Sequence, residues 1–273
     1  MKYSIITVNY NNCDGLLSTI KSVINQTCKD YEFIVIDGGS TDGSKELLEQ
    51  YDSQINYWVS EPDKGIYNGM NKGILKAQGD YINFMNSGDT FYDCTTLQQV
   101  SKLMDGSDII VGKDYNVDSI SGNSAYTILP LRISFVTFFM QTIPHQSSFI
   151  RRALFNDSLY NENLKIVADW KFFLDKVCYD GCTILLINMP ISQREQGGIS
   201  NRLIEQTKQE RQHVLNQLLP IGIKKDYESL SELDYNTLYK LLNLCEMPKP
   251  RRILTWIIKL LYRINSETKH LFR

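Results

Sequence analysis

The chain lacks any long hydrophobic run. No stretch of its 273 residues approaches the roughly 18 to 20 consecutive apolar residues that a transmembrane helix needs. The first eight residues carry only a short apolar run and no small-residue cleavage site, so they do not form a secretory signal peptide. We therefore expect a protein that stays in the cytoplasm.

Cysteine and histidine are sparse and scattered. The six cysteines form no Cys-x-x-Cys pair, and the three histidines lie far apart in the sequence. Because zinc sites are recognised by paired ligands at short spacing, a structural zinc site is not expected. Reduced, buried thiols are the default for such cysteines.

The motifs of several enzyme classes are also missing. Gly-x-Gly-x-x-Gly does not follow the first predicted strand, and Gly-Lys-Ser/Thr does not occur. These absences argue against a function as an NAD-dependent dehydrogenase or a P-loop enzyme. His-Glu-x-x-His and Gly-x-Ser-x-Gly are absent as well. A diphosphate bound by this chain would need a metal ion and side-chain cations to neutralise it.

The charge of the chain is unevenly distributed. The net charge is −2, but from Lys249 onward seven basic residues accompany one acidic residue, a local charge of +6. The preceding 248 residues therefore carry −8. An acidic body argues against a nucleic-acid binder. The basic tail suits contact with an anionic surface.

Strand and helix patterns alternate through the first third of the chain. Apolar, β-branched runs predict strands, and apolar residues at helical spacing predict the helices between them. This rhythm predicts an α/β fold with a Rossmann-like, mostly parallel sheet flanked by helices, over residues 1–200. A helical extension is expected over 201–273, with breaks at prolines 220, 248 and 250. The four predicted strands are residues 3–9, 32–37, 55–60 and 80–86.

Carboxylates recur where these strands end. Asp37, Asp63 and Asp89 follow strands, and Asp169 opens a predicted helix. Parallel sheets bind ligands in the crevice beyond the carboxyl ends of their strands. Asn86-Ser87-Gly88-Asp89 taken alone suits either a strand-ending turn or a hard cation that carries a diphosphate. The repeated placement favours a ligand site.

Six motifs occur in order along the chain. They are Ser4-Ile5-Ile6-Thr7-Val8-Asn9-Tyr10, Ile34-Val35-Ile36-Asp37-Gly38-Gly39-Ser40-Thr41-Asp42-Gly43, Glu61-Pro62-Asp63-Lys64-Gly65-Ile66-Tyr67, Met70-Asn71-Lys72-Gly73, Gly79-Asp80-Tyr81-Ile82-Asn83-Phe84-Met85-Asn86-Ser87-Gly88-Asp89 and Ala168-Asp169-Trp170. As a set they resemble the family 2 glycosyltransferases, which are inverting enzymes with the GT-A fold. The resemblance covers about the first 200 residues, and the Glu-Pro-Asp-Lys-Gly-Ile-Tyr block is similar to the subset that builds bacterial surface polysaccharides such as capsule or lipopolysaccharide.

The resemblance implies a nucleotide-sugar donor site. Thr7 and Asn9 fall where the family contacts the nucleotide, and Asp37 matches the aspartate that reads the base. A carboxylate can accept the imide N–H of uracil, which favours a UDP-sugar; the alternative for Asp37 is a turn-forming role. Asp63 and Lys64 fall on the next crevice loop, where they would contact ribose or phosphate.

The resemblance also implies a divalent cation, Mg²⁺ or Mn²⁺. Asp89 matches the last aspartate of the family's metal motif, and one carboxylate with diphosphate oxygens and waters suffices for Mg²⁺. Asn71 and Lys72 open the following helix, and many family members carry an arginine where this chain has Met70. Lys72 either supplies that cation or is an ordinary surface lysine.

Asp169 is the implied catalytic base, because direct displacement with inversion needs a carboxylate to deprotonate the acceptor hydroxyl. The alternative is a carboxylate favoured by a helix N-terminus. Trp170 either stacks on an acceptor sugar or packs in the core. His145 and Gln146 should face the acceptor, and Ser200 belongs to a loop that could close over the diphosphate.

The carboxyl-terminal tail is predicted to be a basic amphipathic helix. Apolar residues between 253 and 264 share one wide face, and Trp256 is among them. Such a helix suits a membrane surface through residues 249–273. Packing on the catalytic domain or in a homodimer is the alternative.

These features predict an inverting glycosyltransferase. It would move a sugar from a nucleotide-sugar donor to a saccharide or polyprenyl-diphosphate-linked glycan, in polysaccharide biosynthesis at the inner face of the plasma membrane. A sugar-nucleotide nucleotidyltransferase would need a basic, glycine-rich loop after the first strand, which residues 9–15 do not provide. A catalytically inactive saccharide-binding protein would not need both Asp89 and Asp169.

Overall fold

The computed structural model describes residues 2–117, 123–127, 129–130, 132–195 and 203–271. The chain forms two compact units. The first, here the N-terminal unit, comprises Met1–Phe138 and Thr142–Leu218, and the C-terminal unit comprises Phe139–Gln141 and Leu219–Arg273. The expected extension from residue 201 thus begins inside the first of these units.

The first half of the sheet is parallel, as the sequence predicts. Its strand order is β3-β2-β1-β4, and the pairs β1–β2, β1–β4 and β2–β3 are all parallel. Continuous apolar runs suit such strands because helices cover both faces. The elements are β1 (Tyr3–Asn9), α1 (Cys13–Ile24), β2 (Tyr31–Asp37), α2 (Ser44–Gln50), β3 (Tyr57–Ser60), α3 (Ile66–Lys76) and β4 (Tyr81–Phe84).

The second half makes the sheet mixed. The order continues β4-β8-β6-β9-β5; β8 is antiparallel to both neighbours and β9 is parallel to β6. The expectation of a mostly parallel sheet therefore holds only for the first four strands. The elements are β5 (Thr90–Phe91), α4 (Thr96–Leu103), β6 (Ile109–Val117), β7 (Ser124–Tyr126), α5 (Phe135–Met140), β8 (Ser148–Arg151), α6 (Ala168–Leu174) and β9 (Ile184–Glu195).

Helix α3 packs unusually close to the sheet. A Cβ on Gly73 would lie 2.5 Å from Ile6 Cγ2, and one on Gly69 would lie 2.8 Å from Val8 Cγ1. Glycine at these positions lets the helix approach β1. The close approach brings the first turn of α3, with Tyr67, toward the start of α6.

The remaining helices follow the predicted breaks. Helix α7 (Ile204–Leu218) belongs to the N-terminal unit, where it buries Val214 and Leu215. The C-terminal unit contains α8 (Ile221–Leu230), α9 (Tyr235–Glu246) and α10 (Pro248–Leu271). Pro248 opens α10, a position where proline loses no helical hydrogen bond. Across the described residues, no helix is both long and apolar enough to span a bilayer.

Candidate active site

Hydrogen bonds from α1 and from Asn12, the residue before it, fix the loop after β4. Gly88 adopts a φ of +98°, and its N–H donates to Thr19 Oγ1 over 3.0 Å. The Thr19 hydroxyl lies 2.7 Å from the carbonyl oxygen of Asp89, to which it donates. Asn12 Nδ2 donates to the carbonyl of Ser87 over 3.0 Å. These contacts hold the loop rigidly at the carboxyl edge of the parallel strands.

Asp89 is an electrostatically strained carboxylate on this loop. Burial, with a smaller contribution from the charge of Asp114, raises the pKa of Asp89 to about 6, although His145, Arg194 and a hydrogen bond from Gln146 oppose the rise. Carboxylates that lack compensating charge favour protonation or a bound cation.

A buried carboxylate and a partly exposed arginine lie near Asp89. Asp114 is fully buried, and its Oδ2 lies 2.5 Å from Arg194 Nε. Arg194 Nε also donates to Asn116 Oδ1 over 2.6 Å. Arg194 comes from the far strand β9, and near the Asp89 loop its charge is balanced by the Asp114 carboxylate.

The loop fits a divalent cation only with help from a ligand. Asp89 supplies one carboxylate, and the buried Asn86 Oδ1 accepts no hydrogen bond from the described part of the chain. Within that part, no group of three histidine, cysteine or acidic side chains could hold a metal. Mg²⁺ and Mn²⁺ accept such sparse protein ligation when phosphate oxygens and water complete the shell.

Asp169 lies at the start of α6 and is held from two sides. His145 Nδ1 lies 2.8 Å from Asp169 Oδ2, and the Tyr67 hydroxyl lies 2.8 Å from Oδ1. Burial acts to raise the pKa of Asp169, but the hydrogen bonds from His145 and Tyr67 outweigh it, and the net pKa is lowered. The carboxylate is therefore ionised at neutral pH.

His145 connects Asp169 to the Asp89 loop. Its Nε2 lies 3.3 Å from Asn86 Nδ2, while its Nδ1 faces Asp169. The side chains of His145 and Asp169 are 16% and 14% exposed, so both reach solvent. Asn83 Nδ2 donates to the Gln146 carbonyl over 2.9 Å and anchors this turn to β4. The structure thus brings together residues from three separate segments of the sequence, around Asn86, His145 and Asp169.

The strand-end polar residues form a closed network instead of an open site. The Thr7 hydroxyl donates to the Met85 carbonyl over 2.6 Å, and Asn9 Nδ2 donates to Asp37 Oδ1 over 2.7 Å. Asp37 also accepts hydrogen bonds from Ser40 and from Ser60, whose hydroxyl lies 2.6 Å away.

With the Ser40 backbone N–H included, each oxygen of this buried carboxylate accepts two hydrogen bonds. Burial acts to raise the pKa of Asp37, but its donors outweigh burial and lower the pKa. Thr7, Asn9 and Asp37 are buried and bind strands and loops together. The network favours the turn-forming alternative for Asp37, and the nucleotide contacts expected of Thr7, Asn9 and Asp37 stay predictions.

Asp63 and Tyr10 flank the same strand edge and are accessible. A Cβ built on Gly38 would lie 2.7 Å from Asp63 Oδ2 and 3.2 Å from the Tyr10 ring. The Asp63 carboxylate therefore fills the space above Gly38, and its Oδ1 accepts from the Gly65 N–H over 2.9 Å. Tyr10 is 67% exposed. Sequence reasoning missed Tyr10, although an aromatic residue directly after a strand end was a usable signal.

The two α3 residues expected at the donor site both have partners within the chain. Buried Asn71 donates to the Tyr160 carbonyl and to Glu162 Oε1, both over 2.9 Å, so it clamps that segment. Lys72 Nζ pairs with Glu61 Oε1 over 2.7 Å at the surface, and its role toward a donor stays a prediction. Lys64 is exposed on the crevice loop, as expected.

Trp170 belongs to the core. It is 2% exposed, and its indole N–H donates to the Phe138 carbonyl over 2.8 Å. The Arg211 guanidinium lies 4.9 Å from the centre of the ring. Stacking on an acceptor sugar is therefore excluded for Trp170. Ser200 and the rest of loop 197–200 lie outside the described residues.

Tyr67, Asp114 and Arg194 also escaped sequence reasoning. Tyr67 lies within a recognisable motif, and an aromatic residue with a polar tip at a helix start was a possible signal. Asp114 and Arg194 are 80 positions apart in the sequence, and only the pairing of β6 with β9 brings them together. Nothing in their local sequence indicated that contact.

The fold, together with the carboxylates at the carboxyl ends of its parallel strands, indicates the class of protein. Glycosyl transferase family 2 matches residues 4–164. The chain is 28% identical over 215 residues to a PGL/p-HBAD biosynthesis glycosyltransferase of Mycobacterium tuberculosis, covering 74% of this chain and 80% of that protein. The chain belongs to glycosyl transferase family 2 and is a glycosyltransferase.

Solved structures show the same fold. S. aureus TarS 1-349 in complex with UDP-GlcNAc superposes with a TM-score of 0.63 at 19% identity, covering 83% of this chain and 70% of that one. This chain spans 42% of the longer TarS structure. The mannosyltransferase PcManGT from Pyrobaculum calidifontis, in complex with GDP-Man and Mn²⁺, gives a TM-score of 0.59 at 15% identity, covering 99% and 87%. The fold is that of the GT-A glycosyltransferases.

Proposed function

We propose that this protein is an inverting glycosyltransferase that uses a nucleotide-sugar donor. The observation that carries the proposal is the ionised Asp169 carboxylate, held by His145 and Tyr67 beside the Asp89 loop. Inversion by single displacement requires a base and a leaving-group site on opposite sides of one reacting carbon. The two carboxylates supply these functions from separate elements.

Asp169 would take the proton of the acceptor hydroxyl. As that proton leaves, the acceptor oxygen attacks the anomeric carbon, and the bond to the nucleoside diphosphate breaks on the opposite face. His145 and Tyr67 act as positioning residues because they fix both oxygens of Asp169. A carboxylate held in one orientation removes a proton more efficiently than a mobile one.

The donor is proposed to be a UDP-sugar, with Asp63 in the base-reading role first expected of Asp37. Asp63 is accessible, and it lies beside the exposed ring of Tyr10, on which a base could stack. A carboxylate accepts the uracil imide N–H. One structural neighbour binds UDP-GlcNAc and another binds GDP-Man, which supports a nucleotide sugar in general.

A Mg²⁺ or Mn²⁺ ion is proposed at Asp89. When bound, it would neutralise the diphosphate that leaves. The nearby cation Arg194 already forms an ion pair with buried Asp114, so the charge of the diphosphate would fall mainly to the metal ion. The Mn²⁺ bound by PcManGT supports this proposal.

The acceptor is proposed to be a saccharide, carried on a lipid such as a polyprenyl diphosphate, in the synthesis of a surface polysaccharide such as capsule or lipopolysaccharide. One relative supports a lipid acceptor by name: a cholesterol galactosyltransferase of Borreliella burgdorferi, 35% identical over 118 residues. Such an acceptor would place the enzyme peripherally on the inner face of the plasma membrane.

A donor panel tests the proposal. Purified protein with Mn²⁺ is incubated with UDP-, GDP-, CDP- and TDP-sugars, and released nucleotide and thermal shift are measured. We expect one donor to be hydrolysed slowly and to stabilise the fold. Pyrophosphate release from a nucleotide triphosphate and a sugar phosphate would instead indicate a nucleotidyltransferase. Neither turnover nor a nucleotide-induced shift would contradict the proposal and favour an inactive saccharide-binding protein.

A further inference from the structure

The exposed apolar side chains of α10 include a narrow strip along one side of the helix. Ile253, Trp256 and Ile257 are 61%, 64% and 39% exposed. Their i, i+3, i+4 spacing places them on one side of the helix. These three residues are called the α10 strip below. A contiguous apolar surface that contains tryptophan is typical of an interaction site.

Basic side chains border the α10 strip. Arg252 precedes Trp256 by four positions and Lys259 follows it by three, so both are its neighbours on the helix surface. Both basic residues are exposed. From Pro248 to Lys259 the sequence contains four basic residues and no acidic residue. The strip is therefore an apolar surface with a positively charged edge on the side of Trp256.

Packing within the C-terminal unit does not cover the strip. Helix α9 packs against α10, and the strip residues keep their exposure with α9 in place. Leu254, which points to another side of α10, is less exposed than any strip residue. The sequence left open whether this helix packs on protein or meets a membrane, and the exposed strip favours an external partner.

We propose that the α10 strip docks on an anionic lipid bilayer. Trp256 and the two isoleucines would enter the interface, and Arg252 and Lys259 would meet phosphate headgroups. A helix with this pattern lies in the plane of the membrane surface. The inference deepens the proposed function, because it rests on a lipid-linked acceptor for its purpose and names the surface that keeps the enzyme near that acceptor.

Charge favours lipid over a second copy of this chain. In a symmetric dimer through the strip, the same patch of both copies would meet, which brings Arg252 and Lys259 of one copy near those of the other. Like charges placed together oppose association. An anionic bilayer neutralises the same residues, and its hydrocarbon accepts the apolar surface.

Vesicle flotation with the full-length chain tests the docking. The probes are vesicles of phosphatidylcholine alone and of phosphatidylcholine with phosphatidylglycerol in equal parts. We expect the anionic vesicles to bind the protein at least about tenfold more tightly than the neutral ones, because several basic residues contribute. High salt should weaken this binding, since the charges lie at the surface.

Two variants and a control separate the contributions of the strip. Ile253→Ser with Trp256→Ser should weaken binding to anionic vesicles about tenfold or more, because the apolar area is lost. Arg252→Gln with Lys259→Gln should remove the preference for phosphatidylglycerol. The matched control is Ile221→Ser, which alters an apolar residue that is 76% exposed on α8 and should bind as wild type does.

Two results would overturn the docking proposal. The first is wild-type protein that does not bind anionic vesicles. If that protein is instead a dimer, and Ile253→Ser with Trp256→Ser converts it to a monomer, the strip is a dimer interface. The second is binding that the strip variant leaves unchanged. Donor hydrolysis, measured on the same preparations, should be equal in wild type and strip variant. Vesicle binding without hydrolysis of any nucleotide sugar would contradict the proposed function and leave the docking intact.

Discussion

Asp169 and Asp89 are two shielded carboxylates with opposite electrostatic settings. Donors from His145 and Tyr67 outweigh burial at Asp169 and lower its pKa. At Asp89 burial dominates, and it raises the pKa to about 6. Pairs of titratable groups whose environments separate their pKa values mark distinct chemical roles. Here the setting of Asp169 suits a proton acceptor, and that of Asp89 suits a cation ligand.

The raised pKa of Asp89 predicts pH-dependent metal binding. With a pKa of about 6, roughly nine-tenths of Asp89 is ionised at pH 7 and roughly one-tenth at pH 5. A cation must displace the proton, so Mn²⁺ affinity should fall about tenfold between these pH values. Titration calorimetry with Mn²⁺ and UDP checks this. Equal affinity at both pH values, or unchanged affinity in Asp89→Asn, would show that the cation binds elsewhere.

The same shift predicts how the metal-free protein responds to pH. Unfolded aspartate has a pKa of about 3.9, below the folded value, so the folded state holds the proton more tightly. The resulting stability is complete below about pH 4 and is lost as the pH rises through about 6. Bound Mn²⁺ should therefore stabilise the protein more at pH 7 than at pH 5.

The rate should fall at low pH as Asp169 becomes protonated, and the hydroxyl of Tyr67 should set the pH at which this happens. Tyr67→Phe removes a hydrogen bond that lowers the pKa of Asp169, so that pKa should rise and activity should decline at a higher pH. The measurement is kcat against pH at saturating donor and Mn²⁺. Tyr160→Phe is the matched control, because its ring lies 5.5 Å from that of Tyr67 while its buried hydroxyl has no hydrogen-bond partner among the described residues. An acid limb that does not move would contradict the positioning role.

Asp63 and Asp37 should respond differently to the same substitution. Asp63→Ala should weaken UDP binding with little effect on the melting temperature, because Asp63 is accessible and alanine offers no acceptor to the uracil imide N–H. Asp37→Ala should cost about 1.5–3 kcal/mol of stability, because buried donors lose a charged acceptor. Calorimetry with UDP and thermal unfolding separate the effects. The reverse pattern would return base reading to Asp37.

At the scale of elements, the closeness of α3 to β1 is the most testable feature. Gly73→Ala would place a Cβ 2.5 Å from Ile6 Cγ2 inside the core. We expect a loss of about 1–3 kcal/mol in the free energy of unfolding. Gly222→Ala on α8 meets nothing within 4 Å and should be neutral or stabilising, by up to about 1 kcal/mol. Equal effects in chemical denaturation would contradict the packing described.

The parallel half of the sheet was predictable from the sequence, and the rest was not. Strands β1, β2 and β4 are buried on both faces, so their apolar runs are continuous. Residues 114–117 include Asp114 and Asn116, which are typical of turns, yet they continue β6 through pairing with β9. That pairing joins segments about 75 positions apart, and local patterns carry no trace of it.

Part of the candidate site was likewise predictable from the sequence. Asp89 and Asp169 follow from motif order, and His145 from a segment expected to face the acceptor; the structure places His145 near both carboxylates. The saturation of Asp37 was not predictable, because its donors come from β1, the following turn and β3, in a register that only the folded sheet sets. Its two roles are indistinguishable in the sequence.

At the scale of the whole molecule, the boundary between units differs from the expected one. The extension was expected from residue 201, but α7 belongs to the N-terminal unit. Glu210 on α7 accepts hydrogen bonds from the backbone N–H groups of Lys165 and Ile166, each over 2.9 Å. These contacts hold the segment just before Asp169. Helix α7 therefore supports the candidate site, and the basic α10 lies in the other unit.

The central claim is that Asp169 is the base of a nucleotide-sugar transferase. Its most direct test is kcat of Asp169→Asn with the donor that the panel identifies and a saccharide acceptor, with Asp175→Asn on the same helical segment as control. We predict a fall of about 10²–10⁴-fold for Asp169→Asn at unchanged donor affinity, and none for Asp175→Asn. Full activity in folded Asp169→Asn would contradict the account.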